Sequence, residues 1–255
     1  MGHGKEAKGN EVQMLEENVI DVKTKDNSHR VEGKPAAQDE IALFQEFEAK
    51  LYTAVIADAL DELGQRDQAM REYLRPLAPD ATFAGWARTI QCQDMFYVPD
   101  DPYGLEIEAM DSILPGEVVV VSTCESKRNA PWGELLSTAA RARGARGAVV
   151  DGLVRDVRTI QKLGFPVFAA GIKPVDSRGR GQVVDYNVPV LCGGVLVNPG
   201  DLIFADYDGI VAVPVHLIAE VFEQAKEKVL KEKDSRKELF SGAYLSQVYA
   251  KYGVL

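Results

Sequence analysis

The chain has 255 residues, of which 46% are hydrophobic and 27% are charged, and its formal net charge is −10 at pH 7. This length can bury a substantial core, and the composition is that of an ordinary soluble globular protein. The acidic balance argues against a protein that binds a nucleic acid backbone, and no apolar run reaches the roughly 18 residues of a membrane span. We therefore expect neither a nucleic acid nor a membrane as a partner.

The cysteines and the N-terminus bear on the cellular compartment. Cys92, Cys124 and Cys192 show no metal-ligand spacing, and their odd number argues against a disulfide framework. The first residues lack the apolar core of a signal peptide. We expect a cytoplasmic protein whose cysteines are buried apolar residues rather than nucleophiles.

The chain divides into an extension and one predicted domain. Residues 1–38 are rich in Lys, Glu, Asn and Gly without a sustained period, which predicts a mobile extension. Residues 39–255 are predicted to form a single α/β domain. Its first helix follows Asp39 as N-cap, and a second helix runs from a capping Thr53 to Gly64.

From about Thr82 the pattern changes to strands. The segment "LPGEVVVVS" and its near copy "NPGDLIFAD" each place a Pro-Gly turn before an apolar strand, and they are candidates for pairing in space. Asp208-Gly209 predicts a type I′ hairpin after the second copy. The acidic and aromatic segment 94–111 is predicted to be a loop.

Between the two copies, helices and strands alternate. The helix "ELLSTAARAR" ends at Gly144 and precedes the strand "GAVVD", and the helix "DVRTIQKL" ends at Gly164 and precedes "PVFAAG". This order is typical of parallel strands joined by right-handed crossovers. A charged helix is predicted from Pro214 to about Gly242.

The spacing of Glu134 and Arg155-Asp156 suggests a site. Helix 134–143 travels roughly 15 Å and strand 147–151 returns roughly 16 Å, so the two lengths nearly cancel. Arg155 and Asp156 should then lie beside Gly133 and Glu134 at the carboxyl edge of the strands, where α/β sheets bind ligands. The helix N-terminus there can bind an anion, and Gly133 allows a close approach.

Two interpretations of these residues remain open at this point. Arg155 can hold a carboxylate with two hydrogen bonds, while Asp156 and Glu134 are hard oxygen ligands suited to Mg²⁺. That set fits a small carboxylate substrate bridged to a divalent cation. Alternatively, an acid in the first turn only complements the helix dipole, and an exposed Arg-Asp pair contributes little. The spacing alone favours this structural interpretation.

A family resemblance reverses that preference. From about Thr53 to Ala225 the chain resembles the family that includes regulator of ribonuclease activity A and the class II pyruvate aldolases acting on 4-hydroxy-4-methyl-2-oxoglutarate. The resemblance is carried by "GELLSTAARARGARGAVVDGLVRD" and "VPVLCGGVLVNPGDLIFADYDGIVAVP". It implies a three-layer α/β/β fold of the swivelling, phosphohistidine-domain type with a C-terminal helix, assembled as a homotrimer or a hexamer.

The resemblance also implies roles for the site residues. Arg155 would bind the oxygen atoms of a small 2-oxo acid, and Asp156 would ligate Mg²⁺ or Mn²⁺ directly. Glu134 would hold the metal through water. The loop that would donate backbone hydrogen bonds to the pyruvyl carboxylate comprises Gly133, Glu134, Leu135 and Leu136. A neighbouring subunit's C-terminal helix would add a further carboxylate, for which Glu232 is the first choice and Asp234 the second.

The implied reaction is a retro-aldol cleavage of a 4-hydroxy-2-oxo acid to pyruvate. A metal-bound water or hydroxide, oriented by Glu134 and the C-terminal carboxylate, would take the C4 hydroxyl proton, while the cation and Arg155 hold the enolate charge. Oxaloacetate decarboxylation passes through the same enolate and is expected as a companion activity. No histidine is needed, and His216 is expected at the surface.

Two alternatives stay open. One is a non-catalytic regulator that binds a ribonuclease complex; members of that branch resemble this chain at the same motif but lack its charged C-terminal helix. The other is an enzyme on the same scaffold with a different substrate, such as a sugar-acid derivative, whose pocket is shaped by segment 94–111.

Overall fold

The computed structural model describes residues 38–254. The predicted extension lies outside the described residues except for Gln38, where the first helix begins. The helices are α1 (Gln38–Lys50), α2 (Thr53–Glu62), α3 (Gly104–Asp111), α4 (Glu134–Ala142), α5 (Val157–Leu163), α6 (Ile218–Phe240) and α7 (Leu245–Tyr252). The strands are β1 (Arg75–Pro76), β2 (Phe83–Asp94), β3 (Glu117–Ser122), β4 (Gly147–Val154), β5 (Val167–Ile172), β6 (Gly181–Tyr186), β7 (Val190–Cys192), β8 (Val195–Val197), β9 (Leu202–Ala205) and β10 (Ile210–Val213).

The main sheet has the strand order β1-β5-β4-β3-β2-β9-β10, with β6 on the second half of β2. Strands β2, β3, β4 and β5 are parallel neighbours, which confirms the predicted alternation of strands and crossover helices. Gly144 and Gly164 end α4 and α5 with positive φ, as predicted. The two Pro-Gly copies feed β3 and β9, but these strands lie on either side of β2 and do not pair.

The two faces of this sheet are covered differently. Alternate residues of a strand point to opposite faces, so Val119 and Val121 pack beneath the layer of α4 and α5. Val118 and Val120 instead pack against the short β7–β8 sheet. The layers are therefore helices, main sheet and small sheet, in agreement with the predicted mixed α/β domain and its α/β/β order.

A second group of helices covers the β9–β10 end of the sheet. α1, α2 and α6 share one core with these strands. In this core the rings of Phe44 and Trp86 meet edge-on with 4.8 Å between their centroids, and the rings of Phe47 and Phe222 stack with 4.3 Å between theirs. Trp86 and Trp132 are both buried. None of the helices in the described part of the chain is long and apolar enough to cross a membrane.

The β9–β10 connection is a hairpin, but the predicted type I′ turn is wrong. Asp206 and Gly209 exchange backbone hydrogen bonds of 3.0 and 3.2 Å, so Tyr207 and Asp208 occupy the centre of the turn. A type I′ turn needs positive φ at both central residues, and neither has it.

The cap of α2 also differs from the prediction. Thr53 does not cap the helix with its own side chain. Instead, Asp206 from the β9–β10 turn accepts hydrogen bonds from the Thr53 backbone N at 2.8 Å and from Thr53 Oγ1 at 2.6 Å. The hairpin and the helix are therefore joined through one carboxylate.

Segment 94–111 contains a helix, α3, where a loop was predicted. Asp101 Oδ1 accepts a hydrogen bond from the Gly104 backbone N at 2.9 Å, which starts the helix, and Ala109 and Met110 are buried on its inner face. The loop was predicted because the helix has only eight residues and directly follows Pro and Asp residues that are typical of turns.

The C-terminal helix and the cysteines complete the comparison. α6 ends at Phe240, close to Gly242, and α7 then folds back onto it, with Tyr252 Oη donating to Glu238 at 2.8 Å. Cys92 and Cys192 are buried as predicted, and burial raises the pKa of Cys92 to about 12. Cys124 is exposed, so the prediction of burial is wrong for it.

Candidate active site

The sheet brings Arg155 beside the start of α4. Trp132 forms an isolated parallel bridge with Val154, and the Arg155 backbone N donates to the Trp132 carbonyl at 2.9 Å. The segment that leads into α4 therefore pairs with the end of β4 at one residue. This contact fixes Gly133 next to Arg155 and Asp156, the arrangement that the helix and strand lengths predict.

Gly133 is buried because two charged side chains close over it. A Cβ atom at this position would lie 2.8 Å from Asp156 Oδ2 and 3.1 Å from Arg155 Cγ. The backbone of Gly133 is extended, with φ −153°, so glycine is required here for space rather than for conformation.

Asp156 adopts a strained backbone at the entrance to α5. Its φ of 60° and ψ of 27° are left-handed, which Asp tolerates better than most residues, and strain of this kind is commonly found at functional sites. The carboxylate turns back toward α4, where Oδ2 accepts a hydrogen bond from the Glu134 backbone N at 3.4 Å. The side chain is half exposed, which leaves it open to a ligand.

The side chains of the anion-binding loop point in different directions. Glu134 is half-buried, and its Oε1 accepts a hydrogen bond from Thr138 Oγ1 at 2.9 Å, one turn along α4. Leu135 is exposed and Leu136 packs on the core. The first-turn N–H groups of α4 have no acceptors within the helix, which makes them available to an anion.

Arg155 is held between two carboxylates. Its Nη2 lies 3.1 Å from Asp176 Oδ1, and its Nε lies 3.8 Å from Asp156 Oδ2. Asp176 also accepts a hydrogen bond from Tyr103 Oη at 2.5 Å. Burial favours the protonated form of Asp176, but the bonds from Tyr103 and the Arg178 backbone and the charge of Arg155 outweigh it and hold its pKa below the usual value.

Glu106 of α3 lies next to this pair. Its pKa is raised to about 7, first because the carboxyl is largely buried and then because Asp176 repels its charge, while Arg155 acts in the opposite direction. Sequence reasoning missed Tyr103, Glu106 and Asp176. Of these residues, only Asp176 could have been found from the sequence. Strands β4 and β5 are parallel, so the loop after β5, which carries Asp176, opens at the same sheet edge as the loop after β4, which carries Arg155.

Known proteins share this arrangement of sequence and fold. The profile of a family described as Aldolase/RraA matches residues 53–212. The chain belongs to the RraA-like family. Over 192 residues it is 33% identical to a Halalkalibacterium halodurans protein named "Putative 4-hydroxy-4-methyl-2-oxoglutarate aldolase". The aligned residues cover 75% of this chain and 86% of that protein.

Two solved structures superpose well on this chain. RraAS2 of Streptomyces coelicolor, described as an unusual member of the RNase ES inhibitor RraA protein family, matches with a TM-score of 0.70 and 29% identity, covering 80% of this chain and 98% of its own. A Pseudomonas syringae pv. tomato protein matches with a TM-score of 0.74 and 31% identity, covering 86% of this chain and 96% of its own.

The two C-terminal carboxylates have different surroundings within their own chain. Glu232 accepts a hydrogen bond from Tyr52 Oη and lies 3.8 Å from Arg236 Nη2. Burial and the bond to Glu232 raise the pKa of Tyr52 to about 12. Asp234 is half exposed and pairs with Lys237 at 3.0 Å. Their predicted place at a neighbouring subunit's site stays a prediction.

The predicted metal ligands do not form a complete metal site within the described part of one chain. Among the described residues, no group of three or more His, Cys, Asp and Glu side chains is arranged to hold a metal ion. Asp156 offers a half-exposed carboxylate, and Glu134 stands on the helix turn directly opposite. Hard oxygen donors of this kind, completed by water, suit Mg²⁺ or Mn²⁺, which need few protein ligands.

Proposed function

We propose that this protein is a divalent-metal-dependent lyase that cleaves a 4-hydroxy-2-oxo acid, of the 4-hydroxy-4-methyl-2-oxoglutarate type, to pyruvate. The observation that carries the proposal is the meeting of Arg155 and Asp156 with the first turn of α4 over Gly133. A guanidinium, a carboxylate and the backbone N–H groups of the first turn of α4 converge there. The similarity to a named aldolase supports the same reaction class.

Each group has a defined part in binding. The first-turn amides of α4 and the guanidinium of Arg155 bind the 2-oxo acid, because Arg155 lies against Gly133, the residue that precedes the first turn of the helix. Asp176 fixes the guanidinium from behind through its 3.1 Å contact. Asp156 would hold Mg²⁺ or Mn²⁺, with Glu134 reaching it through water, and the bound cation supplies positive charge for the enolate oxygen.

The reaction is then a proton transfer coupled to bond cleavage. A water molecule oriented by Glu134 takes the proton from the C4 hydroxyl, and C4 becomes a carbonyl. The electron pair of the C3–C4 bond passes to the 2-oxo group, giving a pyruvate enolate whose charge Arg155 stabilises. The water molecule returns the proton to C3, which releases pyruvate. Oxaloacetate decarboxylation, which yields the same enolate, is proposed as a second activity.

The assembly belongs to the same proposal. A homotrimer or hexamer would bring Glu232, or the more exposed Asp234, from one subunit to the Arg155 site of the next. Glu232 would have to release Tyr52 or carry it along, because the two are bonded within the chain. We also propose that the fold is of the swivelling, phosphohistidine-domain type.

A direct test is pyruvate release from 4-hydroxy-4-methyl-2-oxoglutarate and from oxaloacetate, measured with Mg²⁺ and after chelation. Asp156→Asn should lower turnover by at least about a hundredfold while the protein stays folded. Asp80→Asn changes an equally charged, exposed residue and should leave turnover intact. Full activity of Asp156→Asn would contradict the metal assignment.

The alternative function is regulation of a ribonuclease. The similarity to RraAS2 favours it, since that protein is described within an RNase inhibitor family. Binding of the purified chain to a ribonuclease E-type enzyme, together with absence of pyruvate release from every 2-oxo acid tested, would select this alternative over the lyase.

A further inference from the structure

An open cleft lies beside the Arg155 site and is not used by the reaction described above. It encloses about 330 Å³, including space open to solvent. Two of its lining residues are neighbours of that site in the chain. Ser177 directly follows Asp176, which pairs with Arg155, and Pro131 lies two residues before Gly133. The cleft therefore lies beside the proposed position of the 2-oxo acid. Its other polar lining residues include Asp94, Glu106, Ser126, Asn129 and Gln182.

Asn129 is a buried polar group that lacks a partner for its oxygen. The residue is 5% exposed and lines the cleft, and its Oδ1 has no hydrogen-bond partner within residues 38–254. A buried amide oxygen without a partner is costly, so such a group commonly awaits a ligand or water. Gly181 helps to place it, because a Cβ there would lie 2.7 Å from Asn129 Nδ2.

Glu106 reaches the cleft from α3 and faces the Arg155–Asp176 pair. Its raised pKa means that the carboxyl is protonated in a large fraction of molecules near neutral pH. A protonated carboxyl both donates and accepts hydrogen bonds, as a hydroxyl partner requires. Ser126, Ser177 and Gln182 add further neutral polar groups along the wall. The Ser126 hydroxyl donates to Asp94 at 2.6 Å and the Gln182 amide to the Asp101 carbonyl at 3.3 Å, so both offer a ligand mainly acceptor oxygens.

The charge of the cleft disfavours a second carboxylate. Among the described lining residues none is Lys, Arg or His, and the ionisable carboxyls are Asp94 and Glu106. The nearby Arg128 donates to the Met95 carbonyl at 3.1 Å and lies 4.0 Å from Asp94, so it is already engaged. An anionic ligand group would be repelled by the carboxylate of Asp94, whereas hydroxyl groups would find matched partners.

We propose that this cleft binds hydroxyl groups on the substrate beyond C4, so that the substrate is a polyhydroxylated 4-hydroxy-2-oxo acid with a single carboxylate. The proposal rests on the lyase reaction of the proposed function, because it places the 2-oxo acid end at Arg155, but it replaces the dicarboxylate 4-hydroxy-4-methyl-2-oxoglutarate as the preferred substrate. Retro-aldol cleavage of such a compound yields pyruvate and a hydroxyaldehyde.

Three adducts of pyruvate separate the possibilities. The adduct with glyceraldehyde carries a hydroxylated tail, the adduct with acetaldehyde carries a methyl group, and the adduct with pyruvate is the dicarboxylate 4-hydroxy-4-methyl-2-oxoglutarate. With Mg²⁺ present, kcat/KM for the glyceraldehyde adduct should exceed the other two by at least about tenfold. Equal or faster cleavage of either other adduct would overturn the proposal.

Variants of the cleft provide a second measurement. Glu106→Gln and Asn129→Ala should raise KM for the glyceraldehyde adduct by roughly three- to tenfold and change the acetaldehyde adduct less. Glu108→Gln is the matched control, because it alters the same helix at an exposed position and should change neither. An equal effect of Glu106→Gln on both adducts would count against the cleft, and this variant decides the matter if Asn129→Ala fails to fold.

Failure of the proposed function can be told apart from failure of this inference. If no adduct releases pyruvate, the lyase proposal falls, and the cleft is tested by calorimetric titration with D-gluconate and with 2-oxoglutarate in the presence of Mg²⁺. Tighter binding of gluconate that Asn129→Ala weakens would uphold the cleft. Equal or tighter binding of 2-oxoglutarate, or no binding of gluconate, would overturn it.

Discussion

At the scale of single residues, the candidate site depends on the missing side chain of Gly133. Its extended backbone would accept alanine, but the added Cβ would lie 2.8 Å from Asp156 Oδ2. The substitution therefore separates site geometry from backbone strain, which few active-site glycines allow.

We expect Gly133→Ala to lower kcat/KM for pyruvate release by about a hundredfold, because a shift of the Asp156 and Arg155 side chains misplaces the reacting groups. The free energy of unfolding should change by less than about 1 kcal/mol. Gly209→Ala serves as control, since its Cβ would meet nothing within 4 Å in the described structure. Unchanged kinetics in Gly133→Ala would place the chemistry elsewhere.

The carboxyl of Glu106 predicts a dependence of stability on pH. Its pKa rises from 4.5 to about 7 on folding, so the folded state binds the proton more tightly than the unfolded state. This stabilisation is fully present below about pH 4.5 and is lost as the pH rises through 7. Asp176 also faces the carboxyl and stays charged over this range, because its pKa is held below the usual value.

Glu106→Gln should remove that loss. Relative to wild type, its free energy of unfolding should increase by on the order of 2 kcal/mol between pH 5 and pH 8. Urea denaturation at several pH values measures the difference, with Glu108→Gln as the reference. Parallel pH profiles for wild type and Glu106→Gln would show that the carboxyl is not perturbed.

At the scale of elements, the β9–β10 hairpin is bound to α2 through Asp206. Its carboxylate accepts both hydrogen bonds from Thr53 and also one from the Asp208 backbone N at 2.9 Å. A charged acceptor at a helix N-terminus also complements the helix dipole. The helix therefore begins where the hairpin places a carboxylate.

Asp206→Ala should lower the free energy of unfolding by about 1–3 kcal/mol, because the Thr53 groups lose their acceptor in a part-buried position. Asp208→Ala changes the next acid of the same turn, where the side chain is exposed, and should cost less than about 0.5 kcal/mol. Chemical denaturation compares the two variants. Similar losses in both would mean that the turn, and not the cap, sets the stability.

At the scale of the whole molecule, the central question is whether one site draws residues from two subunits. Within a chain, Glu232 is engaged with Tyr52 on α2, whereas Asp156 stands at the start of α5. If Glu232 completes a neighbour's site, chains lacking one or the other residue should complement each other.

Mixed assembly tests this directly. Asp156→Asn and Glu232→Gln should each be inactive alone, and co-refolding equal amounts should restore about a quarter of the wild-type activity, the fraction of interfaces with both native residues. Repeating the mixture with Asp234→Asn in place of Glu232→Gln identifies which carboxylate serves the neighbour. No recovery in either mixture would mean that each site is built within one chain.

Much of the scaffold could be predicted from the sequence because its signals are local. The glycines that end α4 and α5 and the alternation of apolar segments predict the parallel unit. The approach of Arg155-Asp156 to Gly133-Glu134 follows as well, because one helix and one strand of nearly equal length separate them.

The tertiary structure alone decided the rest of the site. Tyr103, Glu106, Asn129 and Asp176 come from three separate connections, and no periodicity relates them; they meet because β2, β3 and β5 open their loops at one edge. The cap that Asp206 provides to α2 spans 153 residues for the same reason. Helix ends and turns depend on neighbouring residues and can be predicted from the sequence. The pairing of Arg155 with a distant carboxylate such as Asp176 depends on the order of the strands in the sheet.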